Sequence, residues 1–132
     1  MLFKKKTLVL LDTNILLLPG QKAVDIFTGI KELMDEPYQL GTVDRCLDEL
    51  ERLMAKKSQD GFSAKLGFIL SKQKALKILS CSSTLHADDC LVEKSVAKSA
   101  VVITQDKALI ERLRAKGVRC ARYQQHKFLF QR

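Results

Sequence analysis

The chain has no CxxC pair. Its four cysteines, Cys46, Cys81, Cys90 and Cys120, are scattered, whereas a structural zinc site needs closely spaced ligands. They are expected to be reduced core residues of a cytoplasmic protein. No apolar stretch approaches the roughly 20 residues of a membrane span, so no membrane partner is expected. The basic start Met1–Lys6 leads into Thr7–Leu11, which is too short for a signal-peptide core and is closed by an acid. Repeats, low-complexity tracts and interdomain linkers are absent. His86 and His126 have no partner at ligand spacing and are expected at the surface.

What is present points to one globular domain with a polyanionic partner. A length of 132 residues argues for a single core, and 46% hydrophobic residues suffice to build it. The 23 basic and 15 acidic residues leave a net charge of +8. Such a surplus favours a phosphate backbone, because Lys and Arg displace its condensed counterions.

Two short apolar runs, Thr7–Leu11 and Ala100–Thr104, read as strands buried on both faces. Tyr38–Thr42 and Val118–Tyr123 read as further strands, with a weak one around Ser80–Ser83. Apolar residues at helical spacing predict helices over Ala23–Met34, Val43–Lys57, Phe62–Leu79, Asp88–Lys98 and Lys107–Lys116. Pro37 stops the first and Gly117 ends the last. Lys56–Gly61 reads as a polar loop. On the long helix, Leu66, Ile69 and Leu70 are expected on the buried side. Strand–helix alternation predicts a parallel sheet between two helical layers. The domain is expected to span 1–123, with Gln124–Arg132 as a basic tail.

Four acids stand at marked places. Asp12 directly follows the first strand, where open α/β sheets place their chemistry. Asp106 follows Thr104 by two residues at the end of the other central strand. Asp89 shares the spacing of Val92 and Val96, a face expected to point inward. Glu49 and Glu51 flank the stripe of their helix almost equally, and spacing alone does not choose between them. Two carboxylates about 4 Å apart repel by roughly 4 kcal/mol at an effective dielectric near 20. Converging acids therefore imply a cation, and hard oxygen ligands suit Mg²⁺ or Mn²⁺. Each acid also has a plainer reading. Asp12 is suited to capping a turn through Thr13 and Asn14, and Asp106 to capping the next helix. Asp88 suits a helix start. Glu93 either leans toward the site or belongs to a solvated pattern with Lys94 and Lys98. The Thr104 hydroxyl either ends a strand or orients an acid.

The strings Leu11-Asp12-Thr13-Asn14, Leu47-Asp48-Glu49-Leu50-Glu51, Ala87–Glu93 and Val102–Asp106 resemble the four acidic motifs of PIN-domain nucleases. The resemblance runs from about Thr7 to Tyr123. Asp12–Pro19, Val24–Phe27 and Asp106–Leu109 are similar to the ribosomal-RNA-processing branch. The resemblance selects Glu49 over Glu51, and places Asp12, Glu49, Asp89 and Asp106 as catalytic metal-binding acids. Asn14, Asp88, Glu93 and Thr104 are then supporting residues. It implies strand order 3-2-1-4-5 and a Mg²⁺- or Mn²⁺-dependent endoribonuclease acting on an rRNA precursor, with a homodimer as a further expectation. Lys56, Lys57, Lys107, Arg112 and the tail are candidates for the RNA backbone. Where the family often has Asn before its last acid, this chain has Gln105. The alternatives are a ribonuclease toxin paired with an antitoxin, and a non-catalytic RNA-binding scaffold.

Overall fold

A computed structural model describes residues 5–82 and 84–132; Met1–Lys4 of the basic start and Ser83 of the expected weak strand lie outside the described residues. Strand β1 (Thr7–Leu11) leads into two short helices, α1 (Thr13–Leu16) and α2 (Leu18–Lys22), then α3 (Ile26–Leu33). Strand β2 (Tyr38–Val43), α4 (Asp44–Met54), α5 (Gln59–Gln73) and β3 (Lys77–Leu79) follow. The remainder is α6 (Ala87–Lys98), β4 (Val101–Ile103), α7 (Lys107–Ala115), β5 (Cys120–Gln124) and β6 (Lys127–Gln131). Among the described residues, no helix is long and apolar enough to cross a membrane.

The sheet order is β3-β2-β1-β4-β5-β6. The first five strands are parallel in the expected order. β6 pairs antiparallel with β5, so the stretch expected as a basic tail turns back at Gln125 and His126, both at positive φ, and closes one edge. Its Phe128 is 4% exposed and packs over Gly29 of α3.

Strand alternation splits the core in two. Val9, Leu11, Val101 and Ile103 join α1, α2, α3 and Leu50 of α4 on one side of the sheet. Leu8, Leu10 and Val102 join Leu91 of α6 and Leu109 and Leu113 of α7 on the other. The result is the expected three layers, with β1 and β4 adjacent at the centre, so that the residues following them meet at one edge.

Several boundaries differ from expectation for local reasons. Asp25 accepts hydrogen bonds from the N–H groups of Phe27 (3.2 Å) and Thr28 (3.1 Å), which fixes the start of α3 at Ile26 rather than Ala23. The supposed loop at Gly61 is instead the first turn of α5. That helix buries Gly61, Ser63, Ala64, Gly67 and Ser71, while Ile69 is 45% exposed. Small residues face inward because backbones approach closely: a Cβ on Gly67 would collide with the Leu16 carbonyl. α5 ends at Gln73, well before the expected Leu79, and the edge strand is Lys77–Leu79 instead of Ser80–Ser83. Gly117 at φ +74° follows α7, as its sequence position predicts. Cys46 and Cys120 are free and buried, but Cys81 and Cys90 are paired as a disulfide with Cα atoms 6.0 Å apart, contrary to the expectation of four thiols. A separation of nine residues carried no signal of that pairing.

Candidate active site

The two central strands deliver Asp12 and Thr104 side by side. The Asp12 N–H donates to the Ile103 carbonyl (3.0 Å), which extends the β1–β4 pairing to the acid itself. Asp12 caps α1, its Oδ1 accepting from the Thr13 N–H at 2.8 Å. Thr104, fully buried, donates its hydroxyl to Asp12 Oδ2 at 2.6 Å. Asn14 Nδ2 donates to the same oxygen (3.3 Å) and the Cys46 thiol to Oδ1 (3.7 Å). Both plain readings of Asp12 and Thr104 therefore coexist with a shared site.

Glu49 enters from α4. One turn earlier on the same helix, Cys46 is buried against the sheet; Glu49 follows at i+3 on the same face. The Thr13 hydroxyl donates to Glu49 Oε1, so Thr13 serves both acids. Oxygen or sulfur atoms of Asp12, Cys46 and Glu49 all lie within 4.8 Å of one another. Burial pushes the Asp12 carboxyl above its ordinary range, and the Glu49 charge adds to this. The Thr104 and Thr13 hydrogen bonds pull it back in part. Burial and the Asp12 charge push the Cys46 thiol up to about 12, so it stays protonated at neutral pH. The donors on offer are then carboxylate oxygens, with like charges drawn together at a buried spot. That donor set fits a hard divalent cation.

The other acids are held differently. Asp106 caps α7, with Oδ1 accepting from Ala108 (2.9 Å) and Leu109 (3.2 Å). Its own N–H donates to Thr104 Oγ1 (3.1 Å), which ties it to Asp12 through one hydroxyl. Gln105 is lashed to β5: Nε2 donates to the Tyr123 carbonyl (2.9 Å), and Oε1 accepts the Tyr123 N–H (2.7 Å). Asp89 does not turn inward. The buried face of α6 is Cys90, Leu91 and Ser95, whereas Val96 is 49% exposed. Arg112 of α7 grips Asp88 at 3.2 Å and Asp89 at 2.9 Å.

A cleft of about 1200 Å³ opens over this edge. It brings together Asp12, Asn14, Glu49, Asp88 and Asp106 of the predicted site. Thr104 is buried beneath it. Asp89, Glu93, Lys57, Lys107 and Arg112 do not line it; of the four predicted RNA-binding cations, only Lys56 does. Glu93 is exposed, which favours its reading as part of a solvated pattern. Thr13, Arg45, Asp48, Glu51, Arg52 and His86 line the cleft without having been singled out as site residues. For Arg45 and Arg52 a signal existed: with Glu49 they follow helical spacing along one side of α4.

The family model described as PIN like domain matches residues 9–126. This chain belongs to the PIN-like domain family. The rRNA-processing protein FCF1 of Saccharomyces cerevisiae is 33% identical to this PIN-like chain over 108 residues, covering 80% of the chain and 53% of the yeast protein. The chain thus spans about half the length of that relative. The solved PIN domain endonuclease Utp24 matches with a TM-score of 0.78 and 25% identity over 95% of this chain and 91% of its own. VapBC2 from Rickettsia felis, solved bound to a DNA fragment from its promoter, matches with a TM-score of 0.65 over 89% of this chain and 100% of its own. At 16% identity the VapBC2 likeness is one of PIN fold alone.

Proposed function

We propose that this PIN-like domain is a divalent-metal-dependent endoribonuclease of rRNA processing. The observation that carries the reading is the buried Asp12 carboxylate set beside Glu49 at the end of the central strands. Burying one acid next to another is costly unless a cation is held there. Asp12 and Glu49 would hold a Mg²⁺ or Mn²⁺ ion, with Asp106 and Asp88 facing the same cleft. When bound, such an ion activates water and stabilises charge on a phosphodiester.

The chain's own residues do the rest by positioning. Thr104 fixes Asp12 Oδ2, and Thr13 fixes Glu49 Oε1, so neither carboxylate is left to rotate when substrate arrives. Asn14 joins Asp12 to the Gln105 backbone at 3.1 Å, which couples the two strand ends. Cleavage would leave a 3′-hydroxyl and a 5′-phosphate. The kinship with FCF1 and Utp24 supports RNA as the polyanion implied by the net charge. A cytoplasmic location and a homodimer are carried as part of the same proposal.

The test is cleavage of a labelled single-stranded RNA with Mn²⁺ or Mg²⁺, against EDTA. Cutting that requires the metal supports the reading. Metal-independent cutting, or RNA binding without any metal response, would favour a different chemistry or a scaffold.

A further inference from the structure

The cleft is not uniformly charged. Among the described residues, six carboxylates and three cations line it, an acidic surface on a chain of net charge +8. All three cations, Arg45, Arg52 and Lys56, come from one segment, α4 and the residues just after it. Arg45 is already engaged: it meets Asp48 at 2.7 Å and donates to the Ser82 carbonyl at 3.2 Å. On the far wall Asp88 is neutralised by Arg112. Arg52 and Lys56 are exposed, and among the described residues neither has a carboxylate within salt-bridge distance.

Their positions relative to Glu49 matter. In helical geometry Arg52 lies about 4.5 Å further along the α4 axis than Glu49, and Lys56 follows just beyond the helix end. Arg52 shares a side of α4 with Glu49 at i+3, and both Arg52 and Lys56 line the cleft. Lys57, the next residue, does not line the cleft. Two cations free of ion pairs among the described residues thus stand along the cleft from Asp12 and Glu49, with Glu51 beside Arg52.

We propose that Arg52 and Lys56 are a phosphate grip for single-stranded RNA, seating the backbone next to the bond cut at the acids. This rests on the ribonuclease reading and extends it to the path of the strand. A single strand entering over the C-terminal end of α4 meets Lys56 and Arg52, with Glu51 beside them, before it reaches Glu49 and Asp12. Approach from the α6 wall would meet Asp88, whose charge Arg112 already offsets. The grip also offsets the repulsion that the acids exert on an incoming phosphate. The competing explanation is that these cations merely complement the α4 macrodipole, whose C-terminal end is negative. That role would affect folding stability and leave RNA affinity alone.

The test is binding of a labelled oligouridylate in EDTA, by fluorescence anisotropy, across a series of salt concentrations. Each phosphate contact on a single strand contributes about 0.7 to the slope of log K against log salt. Arg52→Ala and Lys56→Ala should each weaken binding by about 3- to 10-fold near 0.1 M salt and each flatten the slope by about 0.7. Arg52→Lys should keep the slope, and Lys31→Ala, at an exposed position on α3 outside the cleft, should bind as the wild type does. If wild type binds RNA and both alanine variants keep its slope, the grip is wrong while the nuclease reading stands. If wild type binds no RNA at any salt, both fall together. Circular dichroism of each variant separates lost binding from lost folding.

Discussion

Asp12 and Asp89 were expected to play one part, and the molecule holds them in opposite ways. Asp12 is 9% exposed and accepts hydrogen bonds from Thr13, Asn14, Cys46 and Thr104. The Asp89 side chain is 39% exposed and leans on a single arginine. One acid is fixed by the junction of two strands, so its position follows from the sheet. The other sits on the first turn of a helix and takes whatever cation is near. The lesson is that the strand-end half of the site is preorganised before any ligand arrives, whereas the α6 half is adjustable.

The sharpest way to break that contrast is to neutralise each acid in turn. Asp12→Asn should lower RNA cleavage by about 100-fold or more, the scale of losing one electrostatic partner of a transition state. Asp89→Asn should cost less, and equal losses measured in the same cleavage assay would erase the distinction between the two halves.

Removing the hydroxyl that ties the preorganised half together is the next largest effect. Thr104→Val leaves buried Asp12 Oδ2 and the Asp106 N–H short of a partner. It should destabilise the fold by about 1–3 kcal/mol, read as a lower urea midpoint. A midpoint unchanged from wild type would mean that Thr104 is incidental.

Asp12 also predicts an inverted pH response. Its carboxyl is raised above the ordinary 3.8 chiefly by burial, so ionisation opposes folding. That penalty is absent below 3.8, grows as pH rises, and is complete above the raised folded value. In EDTA, Asp12→Asn should therefore melt at a higher temperature than wild type at pH 7, with the gap closing as pH falls toward 4. A variant that melts lower at pH 7 would mean that its hydrogen bonds outweigh the burial of charge.

The smallest effect belongs to the adjustable half. Arg112→Ala removes two largely exposed ion pairs, and such pairs are worth about 0–1 kcal/mol. Urea unfolding should barely register it, and a loss above about 2 kcal/mol would show that the α6 wall is as rigidly built as the other.

The same contrast explains what the amino-acid sequence reveals. Thr7–Leu11 and Ala100–Thr104 are continuous apolar runs, so both central strands and the acids after them are legible. Glu49 is harder, because Glu51 also lines the cleft and periodicity treats the two alike. Asp89 misleads because Val92 and Val96 mimic a buried stripe that tertiary packing places elsewhere. α5 hides its buried face in glycine, alanine and serine, which no hydrophobic pattern marks. β6 is written as Lys-Phe-Leu-Phe-Gln after two polar turn residues, and the charges around it read as a tail until the β5 pairing is seen. The pairing of Cys81 with Cys90 depends on how the loop before α6 returns to that helix, which spacing does not encode.

The measurement that tests the central claim most directly is calorimetric titration of Mn²⁺ into wild type, Asp12→Asn and Asp89→Asn. If the buried strand-end half holds the ion, wild type binds, Asp12→Asn loses the binding heat, and Asp89→Asn keeps most of its affinity. Binding that survives in Asp12→Asn and disappears in Asp89→Asn would contradict the claim and move the cation to the α6 wall.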